Sequence, residues 1–331
     1  MTSTQQRSAP LESEPLVSNI AWSGRIDYVI GVDLGGTKIR AGIATLSGEI
    51  LAEKKIGTSN DGSDVVEQID ALVRELCGSV GAEISQVVAT GIGGAGVPDE
   101  TGTTFKLAPN LTALGGIPFT QHLSDLLGHP VVIENDVNVS ALGELQAGLG
   151  RGHSDFVFIS VGTGVGMGII ANGTLLRGSR GAAGEIGFLP FGADALDPAH
   201  HIRGPFEEVT AGDAVSSRYQ KRTGSSLHPE DIFGRAAAGE QSAIEAVDEE
   251  ARWLAAGIVA VNAVLAPDLV VLGGGIGTRP DLLPRISSWL ERFGQPDLTI
   301  RVSELGQMAP VFGAVTIAIE AAAAAQKGTT R

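Results

Sequence analysis

Tyr28-Val-Ile-Gly-Val-Asp-Leu-Gly-Gly-Thr-Lys38 and, half a chain later, Phe156-Val-Phe-Ile-Ser-Val-Gly-Thr-Gly164 decide the fold class. Each is a short apolar run that reads as a buried strand and ends in a loop of glycine and threonine. Each is followed by a Gly-Ile pair (Gly42-Ile43 and Gly168-Ile169), a glycine turn, and an apolar exit strand (Gly48-Glu-Ile-Leu51 and Gly173-Thr-Leu-Leu176). A strand, loop, strand, turn and strand therefore occur twice, which predicts two domains built on one plan and facing each other. Around the first copy, strands are expected at Tyr28–Asp33, Ile39–Ala44, Ile50–Lys55 and Val87–Ile92. Apolar residues at Val65, Val66, Ile69, Leu72, Val73 and Leu76 predict a helix over Asp64–Cys77. Further helices are expected at Val137–Gly150, Gln241–Leu265, Leu282–Arg292 and Phe312–Ala325. Alternating strands and helices favour an α/β architecture whose sheets are covered by helices.

The chain has 331 residues, enough for about two domains of ordinary size. With Lys+Arg 23 against Asp+Glu 38 the net charge is −15, which repels phosphate backbones and disfavours general nucleic-acid binding. Forty-three per cent hydrophobic residues exclude a disordered chain, and 46 glycines point to tight turns or close backbone approach to a ligand. Cys77 is the sole cysteine, so neither a disulfide framework nor a multi-thiolate zinc site can form. The most membrane-like stretch, Ala255–Ile276, is interrupted by Asn262, Pro267 and Asp268, and reads as a buried helix followed by a buried strand. Residues 1–25 are polar, lack the apolar core of a secretory signal, and read as a flexible leader. A cytoplasmic protein is expected, organised as 1–25 leader, 26–136 N-terminal domain, 137–311 C-terminal domain, and 312–331 a helix returning to the N-terminal domain.

Three glycine turns follow strands. In Asp33-Leu-Gly-Gly-Thr-Lys38 the glycines let backbone N–H groups approach phosphate oxygens, Thr37 adds a hydroxyl donor, and Asp33 can hold Mg²⁺ through water. Gly162-Thr163-Gly164 is the counterpart, so the two loops form a clamp for a polyphosphate. Gly273-Gly274-Gly275 suits the base and ribose of a nucleotide. No GxxxxGK[ST] loop is present. Glu134-Asn135-Asp136 lies between a short strand and a helix. Asp136 there can serve as a general base beside an orienting amide, or simply cap the helix; the local sequence leaves both open. Glu185, Glu207 and Asn110 are polar residues amid small or apolar neighbours, the type of group that pairs with adjacent sugar hydroxyls. His200 and His201 show no metal-ligand spacing and read as solvated loop residues.

Asp33-Leu-Gly-Gly-Thr-Lys38, Glu134-Asn-Asp136 and the run from Val161-Gly-Thr-Gly-Val-Gly to Gly184-Glu-Ile-Gly187, in this order, resemble the ROK family of bacterial sugar kinases and sugar-responsive repressors. The resemblance extends from about Tyr28 to Ala325. It implies the actin-like (ribonuclease-H-like) two-domain fold, with ATP and a hexose in the interdomain cleft, and a homodimer. It also implies that Asp136 takes the proton from the sugar 6-hydroxyl, with Asn110, Asn135, Glu185, Glu207 and Gly94 binding the sugar. Gly35, Gly36, Thr37, Lys38, Gly162, Thr163 and Gly164 would cradle phosphates, Gly273 to Gly275 would contact adenosine, and Mg²⁺ would accompany ATP near Asp33.

Two features depart from the family pattern. Phe188 stands where the family has a sugar-binding histidine, and Asp197–Glu207 has none of the cysteines of the family's CxCGxxGCxE zinc motif. No structural zinc is expected, and packing of Phe188, Pro205 and Phe206 is expected to hold that loop instead. Glu207 aligns with the glutamate that ends the motif. The family's repressors carry a winged helix-turn-helix domain that residues 1–25 cannot accommodate, so DNA binding is not expected. The implied activity is phosphorylation of the 6-hydroxyl of glucose or a glucose-like, including amino, sugar. The alternative is a sugar-binding sensor that has lost phosphoryl transfer.

Overall fold

A computed structural model describes residues 26–59, 62–106 and 118–328. Two five-stranded sheets carry the fold, and their topologies are the same. The first runs β3 (Ile50–Gly57), β2 (Lys38–Thr45), β1 (Tyr28–Leu34), β4 (Val87–Gly94) and β7 (Val131–Asn135). The second runs β10 (Thr174–Leu175), β9 (Val165–Ala171), β8 (Phe156–Val161), β11 (Leu269–Gly273) and β12 (Ile300–Val302). In each sheet the first three strands form an antiparallel meander and the last two add in parallel. The two quoted stretches, β1 and β8, are the central strands, so the internal repeat is a repeat of topology. A small ribbon of β5 (Val97–Pro98) and β6 (Phe105–Lys106) stands beside the first sheet.

Burial explains the strand patterns. β1 is buried along nearly its whole length because helices cover both its faces, whereas edge strand β3 alternates between half-buried and exposed residues. Ten helices complete the described residues: α1 (Gly62–Ser79), α2 (Phe119–Leu127), α3 (Asp136–Ala147), α4 (Glu207–Thr210), α5 (Gly212–Thr223), α6 (Pro229–Ala237), α7 (Gln241–Leu265), α8 (Gly274–Gly277), α9 (Leu282–Arg292) and α10 (Ala309–Gly328). In α7 the buried residues Ala243, Ala246, Val247, Glu250, Ala251, Leu254, Ala255, Ile258 and Val261 follow one helical stripe. The membrane-like stretch is indeed the end of this helix followed by buried β11. Among the described residues, Gly306–Lys327 is the one helical stretch long and apolar enough to cross a membrane. In the fold it is a core helix, with Val311, Ala314, Val315 and Ala318 buried.

Helices α3 and α10 lie between the sheets and cross at very short range. A methyl group on Gly143 of α3 would stand 2.0 Å from the Ala309 carbonyl oxygen, and one on Gly313 of α10 would stand 1.7 Å from the Val139 carbonyl oxygen. Backbone faces backbone there, and neither partner can yield by a rotamer change. Overpacking of this kind costs about 1–3 kcal/mol, occasionally more. Gly313→Ala should therefore lower the thermal midpoint by several degrees. Gly234→Ala, in α6 with open space around the added methyl, should be neutral or stabilising by up to ~1 kcal/mol. Equal effects in parallel thermal melts would contradict the crossing.

Candidate active site

The carboxyl ends of β1, β4 and β7 define the floor of the site. Register aligns Asp33 with Gly93 and Gly93 with Glu134, and then Leu34 with Gly94 and Gly94 with Asn135. Ligands of open α/β sheets bind at such strand ends. Glu134 is buried. Its Oε1 accepts from Asn135 N–H at 2.9 Å and from Asn138 Nδ2 at 3.0 Å, while its Oε2 accepts from Arg177 Nε at 2.5 Å. This carboxylate fixes the strand-to-helix turn, and Arg177 ties the turn to the segment after β10.

The helix cap removes one of the two roles open to Asp136. Asn135, not Asp136, caps α3: its Oδ1 accepts from Val137 N–H (2.9 Å) and Asn138 N–H (3.1 Å). Its Nδ2 donates to the Gly96 carbonyl at 3.2 Å. Asp136 is the first helical residue, and its Oδ1 accepts from Val137 N–H at 2.9 Å. Its carboxylate is thus held at the positive end of the helix without being used up as the cap.

Four carboxylates influence one another here. Loss of hydration and then the Asp136 charge push Asp33 up to about 7, against the pull of Arg40 on the neighbouring strand. Loss of hydration also raises Asp136, although its bonds to backbone N–H groups oppose this. Glu185, on the open side, is raised by loss of hydration and by the Asp136 and Glu207 charges. Arg40 is itself fixed, donating to Glu53 at 2.9 Å and to Gln307 Oε1 at 3.1 Å. Among the described residues no three His, Cys, Asp or Glu side chains are placed to hold a metal ion. Asp33 and Asp136 still offer hard oxygen donors suited to Mg²⁺, whose remaining positions would fall to phosphate and water oxygens.

Both glycine–threonine loops are tight hairpins. Gly35 N–H donates to the Lys38 carbonyl at 3.0 Å, and Thr58 closes the loop from the side through its N–H to the Thr37 carbonyl and its hydroxyl to the Gly35 carbonyl. Thr37 and Lys38 are exposed, with Gly35 and Gly36 half-buried. In the second loop Gly162 N–H donates to the Gly164 carbonyl, and the Gly162 carbonyl accepts from Gly212 N–H, both at 2.9 Å. Gly275 N lies 4.0 Å from where a Gly162 side chain would start. The turn Gly273–Gly275 therefore adjoins the Gly162–Gly164 loop. Gly274 has φ +79° and its α-carbon faces the Val161 backbone at a distance no side chain could share.

The remaining sequence-derived residues take varied places. Gly94 is buried beneath the Phe105 ring, 2.7 Å from where a side chain would begin. Glu207 faces the second loop, its Oε2 accepting from Val165 N–H at 2.9 Å and its Oε1 from Arg203 Nε at 3.0 Å. Asn110 lies outside the described residues. The expectation that Phe188 packs the cysteine-less loop is corrected: Phe188 is 49% exposed, and the contact is made by Phe191 against buried Phe206, ring centroids 5.2 Å apart. The preceding Gly187 is the buried residue of that pair, and the chain turns Phe188 outward. His200 and His201 end a short 3-10 helix, Pro198–His201, rather than lying in a loop, and each donates from its ring to a backbone carbonyl, of Asp194 and Ala195 respectively. Arg40, Arg177, Arg203 and Gly212 escaped the sequence reading. Of these only Arg40 left a signal, as a cation inside the otherwise apolar strand Ile39–Ala44.

Asp33 titrates in the fold near 7, far above the 3.8 of an unperturbed carboxyl. The fold thus retains a proton that the unfolded chain releases, and stability from this group is lost as pH rises from about 4 towards 7. Asp33→Asn should raise the melting temperature more at pH 8 than at pH 5, in buffer free of nucleotide and divalent cations. Equal gains at both pH values would contradict this.

The ROK family model matches residues 29–321. A glucokinase of Streptomyces coelicolor is 32% identical over 316 residues, spanning 88% of this chain and 97% of the relative. An N-acetylmannosamine kinase of Escherichia coli is 30% identical, spanning 80% and 89%. A ROK family glucokinase from Streptomyces griseus, solved in complex with glucose and AMPPNP, superposes with a TM-score of 0.74 at 30% identity, covering 88% of this chain and 99% of that one. The family model spans nearly all of the described chain, and relatives at 30% identity or more cover it over most of their own length: the protein belongs to the ROK family.

Proposed function

We propose that this chain is an ATP-dependent hexose kinase that transfers the γ-phosphoryl group to the 6-hydroxyl of glucose or a closely related aminohexose. The observation that carries this reading is the freed carboxylate of Asp136, held at the start of α3 while Asn135 does the capping. Burial raises its pKa above the ordinary carboxyl range, which strengthens it as a proton acceptor. The matched glucokinases and N-acetylmannosamine kinase add support.

In this reading the backbone N–H groups of Gly35–Thr37 and Gly162–Gly164 hold the polyphosphate between the two sheets. Gly273–Gly275 and Gly212 lie against adenosine. Asp136 accepts the proton of the 6-hydroxyl as that oxygen approaches the γ-phosphorus in line, and Asn110, Asn135, Glu185 and Glu207 orient the other hydroxyls. Phosphoryl transfer asks mainly for positioning and charge stabilisation. Mg²⁺, bound with ATP beside Asp33, would neutralise phosphate charge. The grouping of Asp136, Glu185 and Glu207 favours a sugar that carries an ammonium group, and exposed Phe188 supplies no polar contact in place of a histidine.

The test is ADP release with Mg²⁺-ATP across aldohexoses, 2- and 3-amino sugars and N-acetyl sugars. Sugar-dependent ADP and a 6-phosphate identified by phosphorus–carbon NMR coupling are expected. Asp136→Asn should lower kcat by ~10²–10⁴-fold and change sugar binding little. A folded protein that binds sugar but releases no ADP would instead identify a sensor.

A further inference from the structure

Arg203 is half-buried in the segment Asp197–Glu207, where the family motif would have placed cysteines, and it makes three contacts, two of them outside that segment. Its Nε donates to Glu207 Oε1 at 3.0 Å, one Nη to Asp213 Oδ2 in the first turn of α5 at 3.1 Å, and the other Nη to the Thr163 carbonyl at 3.2 Å. Glu207 passes the connection on, its second oxygen accepting from Val165 N–H at 2.9 Å. Arg203 and Glu207 together therefore bracket residues 163–165 from one side. The bracket is close: a side chain on Gly164 would begin 2.6 Å from Glu207 Oε2.

Peptide geometry gives this bracket a consequence. The carbonyl of Thr163 and the N–H of Gly164 belong to one planar trans unit and point in opposite directions. Binding the carbonyl to Arg203 aims the Gly164 N–H to the far side of the loop. We propose that Arg203 is the positioning residue of the second glycine–threonine loop, orienting the Thr163–Gly164 peptide so that its N–H can receive the terminal phosphates, and coupling that loop to Glu207. A planar fork suits this task, because its donors reach a carbonyl and two carboxylates at fixed angles, which a lysine ammonium cannot do. The cysteine-less segment is thereby anchored to the site through a guanidinium as well as through the Phe191–Phe206 contact.

This inference rests on the reading of the loop as a phosphate cradle, and its test separates the two. Calorimetric titration of the full chain with AMPPNP and Mg²⁺, and separately with AMP, needs no sugar and no turnover. For Arg203→Ala, triphosphate affinity should fall at least tenfold while AMP affinity stays within about twofold, because the loop serves the outer phosphates. Arg203→Lys should fall between the two, since one ammonium cannot span Thr163 and Glu207 together. Parallel loss of AMP and AMPPNP binding would mean that Arg203 only supports the lobe, and would overturn the proposal. Unchanged AMPPNP binding in Arg203→Ala, or full restoration by lysine, would overturn it as well. A wild-type chain that fails to bind AMPPNP would overturn the kinase reading, and this one with it.

Discussion

Everything in the site depends on helix α3 being able to lie between the two sheets at backbone distance. A methyl on Gly93 of β4 would stand 2.3 Å from Val139, and one on Gly168 of β9 would meet Ala141 at 2.6 Å. Glycine at these contacts lets the first turns of α3 touch the first sheet on one side and the second sheet on the other. The N-terminus of that helix consequently opens where the strand ends of the first sheet come together. Asp136 stands there, near enough to Asp33 and Glu185 for its charge to raise both carboxyls. Glycine on both sheets, facing the Val139 and Ala141 side chains of the helix, is thus what lets Asp136 reach the strand ends of the first sheet.

The electrostatics of the site follow from the same placement. Burying Asp33, Asp136 and Glu185 costs stability: loss of hydration raises all three carboxyls, and the Asp136 charge adds to the rise at Asp33 and Glu185. Binding of cations would relieve that cost: the metal ion that accompanies a nucleotide and the ammonium of an amino sugar would each bring positive charge. Functional sites often retain such unfavourable clusters because the ligand resolves them. Arg40 and Arg203, each held by two or more partners, flank the cluster without neutralising it.

Much of the fold was legible because its signals are local. Apolar runs ending in glycine located β1 and β8, the helical stripes located α7 and α9 to the residue, and the repeat announced two sheets of one topology. The short helices α4, α5 and α6 escaped, since their burial comes from packing on α7 rather than from a long apolar period. The Asn135–Asp136 pair was legible as a motif, but which of the two caps the helix depends on side-chain rotamers that no spacing encodes. An aromatic at 188 suggests a packed loop, but the chain direction after buried Gly187 turns Phe188 outward, which no local pattern encodes. Arg203 lies 40 residues from Thr163, and nothing local to either announces their contact.

The most direct test of this account is a crystal structure of the protein with glucose, or the best substrate of the sugar panel, together with AMPPNP and Mg²⁺. The account predicts the sugar 6-oxygen within hydrogen-bond reach of an Asp136 carboxylate oxygen, about 2.6–3.2 Å, and the γ-phosphate between the Gly35–Thr37 and Gly162–Gly164 loops. A sugar that presents another hydroxyl to Asp136, or a triphosphate lying away from either loop, would contradict it.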